Sequence, residues 1–349
     1  MKKPVLVLDA HWRRNDELFS DETLRALHDR FDVVWGKDEP IPDDVLADAL
    51  PQAFAYVAAT PRVTADTLAI APHLKLVAEM SGQFPDTVDY AACKAHGVEV
   101  LSCAPGFQQS VAEMALAMIL AMGRGLVREH EAFRTGKERW LEDCDGEDGT
   151  LFGGSVGFVG YGAIAREVHR LMVPFAPKVA AYDPWLDPTK VPDVELADLG
   201  PLMARSRILI VAAAPTRDNH GLVSADLLAR LPDGALVVLI SRAHLVDFDA
   251  LLKEAKSGRL SAAIDVFPSE PVPQDHPMRQ LRNVVFSPHR AAAVPGGRQL
   301  IGDLLLKDLD LVMAGKVPQH LNRAANLDVA ALAGVGDASS VAAMAEERT

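Results

Sequence analysis

Ser155-Val-Gly-Phe-Val-Gly160-Tyr-Gly162-Ala-Ile-Ala165 runs from an apolar strand through a glycine turn into an amphipathic helix over 163–172. Gly160 permits the tight turn, Gly162 lets the backbone approach a pyrophosphate, and Ala165 allows close packing of helix on strand. The free N–H groups of Ala163 and Ile164 then lie at the positive end of a helix, where phosphate binds well. Taken alone, the triplet also reads as a bare turn, and its third place is Ala. Asp183 shifts the balance. It lies 18 residues beyond Ala165, at the end of the next apolar strand, where a carboxylate accepts hydrogen bonds from an adenosine ribose. It also repels a 2′-phosphate, and Pro184-Trp185-Leu186 bring no cation, so the unit reads as a site for NAD(H) rather than NADP(H).

Working outward, apolar strands recur at 156–159, 179–182, 208–212, 235–240, 262–266 and 284–286. Helices intervene, such as 163–172 and 224–231, the latter with Ser224 placed to cap it. Six strands make a full doubly wound dinucleotide fold. Upstream, Val5–Leu8, Val33–Trp35, Phe54–Ala58, Leu74–Ala78 and Val98–Leu101 alternate with amphipathic stretches, for example 21–30 with Leu24, Leu27 and Phe31 at helical spacing. That pattern predicts a second parallel sheet covered on both faces, flavodoxin-like. The fold class is α/β with two doubly wound parallel-sheet domains.

Val111–Gly123 is apolar nearly all round, with Glu113 its one charge, so this helix should be buried on most of its surface. It lies between the domains or at a subunit interface; we expect both, and hence a homodimer. The stretch 142–150 reads as a loop. A last helix over about 299–314 ends at Gly315, and 323–349, rich in Ala, Gly and Ser, reads as a loosely ordered tail.

The 349 residues suggest two domains, and a net charge of −13 argues against nucleic acid or an anionic membrane as an obligate partner. The N-terminus reads as a first strand, not a signal sequence, and no apolar run is long enough to span a bilayer. Cys93, Cys103 and Cys144 sit at no metal-ligand spacing and read as reduced thiols, so a cytoplasmic protein without a metal site is expected.

Three polar residues close successive apolar strands: Arg242, Glu270 and His289. In an open parallel sheet the C-terminal strand ends face the ligand crevice, so all three can converge there. Reduction of a 2-keto acid needs a cation to hold the carboxylate and polarise the carbonyl, an acid to protonate the alkoxide, and a partner to orient that acid. Arg supplies a fork, His titrates near neutrality and Glu supports the imidazolium. Individually each has a bland reading, as a surface cation, a loop carboxylate or a loop histidine. The ordered trio behind the glycine turn favours the chemical one.

At this point the chain resembles the D-isomer-specific 2-hydroxyacid dehydrogenases, a family that includes phosphoglycerate, D-lactate, glyoxylate/hydroxypyruvate and formate enzymes. The carriers are Ser110-Val-Ala-Glu113, the Gly160 turn, Ala214-Pro-Thr216, Ser241-Arg242 with Leu245-Val-Asp247, Asp265-Val-Phe267 with Glu270-Pro271, and Ser287-Pro-His289. The resemblance implies that Arg242 binds the substrate carboxylate and carbonyl, that His289 is the acid/base, and that Glu270 is its partner. It implies that Asp265 contacts the nicotinamide end and that Ile240, Pro215 and Val111 line the cofactor. It also implies a Rossmann cofactor domain, 105–291, inserted into a substrate domain made of 1–104 and 292–322. The activity implied is NAD-dependent hydride transfer at C2 of a D-2-hydroxy acid or 2-keto acid.

Three loops depart from the family pattern. Gly82-Gln-Phe84-Pro-Asp86-Thr87-Val-Asp89 replaces a glycine by Phe84 and an asparagine by Thr87. Backbone N–H groups at Gly82 and Gln83 are candidates for the substrate carboxylate, while Phe84 either reshapes the pocket or turns into its own domain. Arg290 follows the histidine, adding a cation or pointing at solvent. Arg242-Ala243-His244 stands where many members have Arg-Gly-Gly. Two other readings stay open: an NAD(H)-sensing corepressor-like binding protein, and a formate- or phosphite-type dehydrogenase.

Overall fold

The computed structural model describes residues 2–141, 148–327 and 329–332. Cys144, most of the 142–150 loop and residues 333–349 of the expected tail lie outside the described residues. The chain divides into two compact units, one of residues 1–108 with 293 onward, the other of residues 109–292.

In the first unit β1 (Val5–Asp9), β2 (Asp32–Lys37), β3 (Ala53–Ala58), β4 (Leu76–Glu79) and β5 (Glu99–Ser102) are parallel, in the spatial order 5-4-3-1-2. This is the flavodoxin-like arrangement. Period-2 alternation sorts the side chains. Leu6, Leu8, Ala55, Val57, Leu76 and Leu101 face one core with Leu27, Phe31, Ile301, Leu305 and Leu309, while Val7, Tyr56, Val77 and Val100 face another with Leu50, Leu68 and Cys93. Helix Leu300–Met313 belongs to this unit. Its buried Asp308 accepts the N–H groups of Gln319 (2.8 Å), His320 (3.0 Å) and Leu321 (2.8 Å) and turns the chain back to the sheet.

In the second unit β6 (Ser155–Val159), β7 (Lys178–Tyr182), β8 (Glu195–Leu196), β9 (Ile208–Val211), β10 (Leu236–Leu239), β11 (Ser261–Ile264) and β12 (Val284–Phe286) form a parallel sheet ordered 12-11-10-9-6-7-8. The order reverses between β6 and β9, and such a switch opens a ligand crevice at the carboxyl ends of the strands. Seven strands stand here, not six, because β8 is a two-residue edge without an apolar run.

The helix expected over 224–231 spans only Ala225–Leu228, although Ser224 Oγ does cap it, accepting from Leu227 N–H. Pro232 disfavours helical backbone at Leu231 and ends it early. The last strand, β13 (Asn322–Arg323), adds antiparallel to β5, and Arg323 pairs with both oxygens of Glu99 at 3.1 and 2.7 Å. The loose tail therefore does not begin at Arg323. Helix Gln108–Gly123 buries one stripe, Val111, Ala112, Ala115, Met118 and Ile119, whereas Glu113 and Ala117 are exposed. The other residues of 111–123 are half-buried, so the helix is covered over much, though not all, of its surface within one chain.

Candidate active site

Gly160, just past β6, takes a φ of +84°. A side chain there would run into the backbone of Ala213, so the ends of β6 and β9 close on each other at a point only glycine allows. Tyr161 N–H donates to Asp183 Oδ2 at 2.9 Å and Trp185 N–H donates to Oδ1 at 3.1 Å. The acidic strand end thus also braces the turn. Gly162 is the N-cap of helix Ala163–Met172; no side chain caps that helix and its first turn holds no acidic residue. A Cβ on Gly162 would meet nothing within 4 Å. The protein's own packing gives no reason for glycine there, whereas a pyrophosphate on the N–H groups of Ala163 and Ile164 needs that space open. The residues present fit a dinucleotide. Ala165 is fully buried, and Ile240 past β10 and Val111 in its helix are buried; Pro215 lies half-buried past β9.

The polar trio lies along the same edge of the sheet. Arg242 follows β10 in extended backbone, and its Nη1 donates to Ser241 O at 2.8 Å. His289, past β12, has a φ of +51°, a left-handed conformation uncommon for any residue with a Cβ. Its N–H is held by the carbonyls of Asp265 (2.8 Å) and Ser287 (2.9 Å). Its Nδ1 meets Glu270 Oε2 at 2.7 Å, while Glu270 Oε1 accepts Phe267 N–H at 2.9 Å. Burial pushes the Glu270 pKa up, but the hydrogen bond and charge of His289, the Phe267 N–H and the charge of Arg242 outweigh it and leave it below the ordinary carboxylate value. Glu270 is therefore ionised at neutral pH. It fixes Nδ1 and leaves Nε2 as the ring nitrogen able to pass a proton.

Asp265, past β11, bonds within the His289 loop. Its carboxylate accepts from Ser287 Oγ (2.5 Å), Arg290 N–H (2.9 Å) and Ala291 N–H (3.3 Å). Both oxygens are engaged because the loop after β12 folds back over the end of β11. Asp265 is thus a positioning residue that holds His289 in its unusual backbone conformation.

Comparison with known proteins follows the same lines. Residues 116–291 match the model of the D-isomer specific 2-hydroxyacid dehydrogenase NAD binding domain. A D-3-phosphoglycerate dehydrogenase of Mycobacterium tuberculosis is 35% identical over 86% of this chain and 56% of its own length. A hydroxypyruvate reductase of Thermotoga maritima is 31% identical over 78% of this chain and 88% of its own. The chain belongs to the D-isomer-specific 2-hydroxyacid dehydrogenase family. A solved phosphoglycerate oxidoreductase from Rhizobium etli, 31% identical, superposes with a TM-score of 0.83 over 92% of this chain and 98% of that one. The chain spans about half the length of the mycobacterial relative.

Against the family pattern, the departures resolve individually. Phe84 is buried in its own unit, edge-on to Tyr90 with ring centroids 6.1 Å apart. The Arg290 side chain is exposed, and its backbone N–H is what the site uses. His244 stacks on His220 at 6.0 Å; burial, then His220, then Arg242 lower its pKa.

The N–H groups of Gly82 and Gln83 are engaged within the protein. Their N–H groups donate to Glu79 Oε2 at 2.8 and 2.7 Å, so a carboxylate of the protein itself occupies the place assigned to the substrate's. Sequence reading passes over Glu79, although the signal is present: a single carboxylate closes the apolar strand β4 at its C-terminal end.

Proposed function

We propose that this chain is an NAD-dependent oxidoreductase acting between the nicotinamide and C2 of a D-2-hydroxy acid, working as a 2-keto acid reductase. The observation that carries the reading is the 2.7 Å contact of His289 with Glu270, on the strand-end edge that also holds Arg242 and the Gly160 turn. When bound, NADH supplies the hydride. Arg242 would pair with the substrate carboxylate and polarise the carbonyl oxygen. His289 would pass the Nε2 proton to the oxygen as negative charge develops there, and Glu270 would stabilise the histidine's charged form. The residues at 163–164 would hold the pyrophosphate, Asp183 the ribose, and Val111, Pro215 and Ile240 the cofactor's flanks. Absorbance at the NADH band, followed with glyoxylate, hydroxypyruvate and pyruvate and with NADPH in parallel, tests this. Consumption of NADH with at least one 2-keto acid is expected, and none with any of them would refute the reading.

We also propose a homodimer built around the Val111–Gly123 helix. Its open face is continued along the chain by apolar side chains left in solvent, among them Leu126, Phe133 (63% exposed) and Trp140 (72% exposed). An apolar patch of this kind marks an interaction surface, and a second copy presents the same patch to it. Sedimentation should give twice the chain mass at micromolar concentration, with Phe133→Glu plus Trp140→Glu shifting it to the single-chain mass; a monomeric wild type sinks the proposal. No single helix among the described residues is long and apolar enough to cross a membrane. Cys93 and Cys103 are buried free thiols, which supports a cytoplasmic location, to be checked by cell fractionation.

A further inference from the structure

His244 stands where many family members have glycine, and its side chain makes a contact that glycine could not. Two loops of the second unit meet around it. The loop after β9 carries Pro215, and the loop after β10 carries Arg242. Asn219, which is buried, clips the first loop around Pro215. Its Oδ1 accepts Thr216 N–H at 2.9 Å, and its Nδ2 donates to Ala214 O at 2.8 Å. His244 Nε2 lies 3.3 Å from the same Oδ1.

The bonds to Thr216 and Ala214 fix which way the Asn219 amide faces. Its oxygen is an acceptor, so the imidazole must donate. Burial first, then His220 and Arg242, hold the His244 pKa below the ordinary histidine value, so the ring is neutral at neutral pH and its one proton sits on Nε2. His220 lies nearly parallel against this ring, with 15° between the planes.

Other bonds continue the seam on both sides of Arg242. Ser241 Oγ donates to Ala213 O at 2.5 Å, Gly221 N–H donates to His244 O at 2.7 Å, and Val223 N–H donates to Leu245 O at 2.9 Å. The backbone ties would survive any residue at 244; the tie to Asn219 would not. An arginine whose loop is held on both sides has less freedom to lose when it meets a ligand.

Building on the reading above, we propose that His244 is a positioning residue: its Nε2–H, donated to Asn219, joins the loop of the cofactor-flanking Pro215 to the loop of the substrate-binding Arg242 and holds the two in register. Loss of that donor loosens both loops together.

Two measurements test this. The first is the pair of KM values, for NADH and for hydroxypyruvate, in His244→Ala and His244→Gln. One hydrogen bond of this kind corresponds to about two- to tenfold in an equilibrium, and the alanine variant should raise both KM values by that much. Glutamine brings an N–H donor to a similar reach and should restore both to near the wild-type values. A protein that is merely less stable loses active fraction, and so apparent kcat, while its KM values stay put. An unchanged KM for either ligand in the alanine variant overturns the proposal, as does a glutamine variant with KM values as high as those of alanine. The second needs neither activity nor a variant, and it decides the matter if the alanine variant does not fold: the ring ¹⁵N spectrum of His244 in the wild type at neutral pH. A protonated Nε2 and a bare Nδ1 are expected; a proton on Nδ1 ends the proposal. If the protein reduces no 2-keto acid, the reaction assignment fails, while NADH affinities of the variants by fluorescence and the ring spectrum still judge His244.

Discussion

Replacing His289 with Ala is expected to lower turnover of 2-keto acid reduction by about 10²–10⁴-fold, the span that a placed general acid supplies. NADH affinity should stay near that of wild type, because the Gly160 turn and Asp183 lie on other strands. The size of the loss follows from geometry. His289 is held from both sides: its N–H is bonded by Asp265 and Ser287 carbonyls, and its Nδ1 by Glu270. A ring fixed this way loses little freedom when it delivers a proton, and water admitted into the hole of an alanine variant would have no such orientation. Single-turnover kinetics with fluorescence-monitored NADH binding separates the two effects. Turnover that survives the substitution would remove His289 from the chemistry.

Arg242→Ala carries the second large effect, in binding as well as rate. Truncating one partner of a hydrogen-bonded charge pair costs about 2–5 kcal/mol. That corresponds to a fall in kcat/KM of roughly 30-fold to a few thousand-fold. Arg242→Lys should recover only part of this, since an ammonium keeps the charge but not the planar fork. The position also has an internal consequence. The Arg242 charge helps keep Glu270 ionised, so its removal lets the Glu270 pKa rise toward the ordinary carboxylate value. Glu270 would then lose its charge at a higher pH, and the acid side of the pH–rate profile should move up. A variant with unchanged KM and an unmoved acid limb would show that Arg242 touches neither the substrate nor the pair.

Much of the cofactor site was legible because its signals are local. A strand, two glycines and a helix start lie within 11 residues, and Asp183 follows at a distance set by one helix and one strand. The trio was legible for a related reason. In a parallel sheet every strand ends on the same edge, so Arg242, Glu270 and His289 could be grouped without knowing strand order. What escaped was everything that depends on a side chain reaching back along its own loop or across to another strand. Asp265 engages residues 287, 290 and 291, and Asp308 engages residues 319–321. Neither reach leaves a periodic trace.

The Gly82–Gln83 loop shows where that boundary falls. Its glycine and its place after β4 identify a turn with N–H groups to offer, and pattern reading goes no further. Whether those groups meet a ligand or the protein's own Glu79 depends on a hydrogen bond made four residues back, through a rotamer that sequence does not encode. Sequence alone determined that this chain has two parallel sheets, a dinucleotide turn and a polar trio at the strand ends, because strand period, glycine spacing and strand-end position are short-range properties. Only the tertiary structure decided that Asp265 holds the His289 loop, that Phe84 turns inward, and that Glu79 fills the loop assigned to the substrate. Those outcomes rest on the burial and pairing of polar groups, and pairing is settled only once the chain has closed.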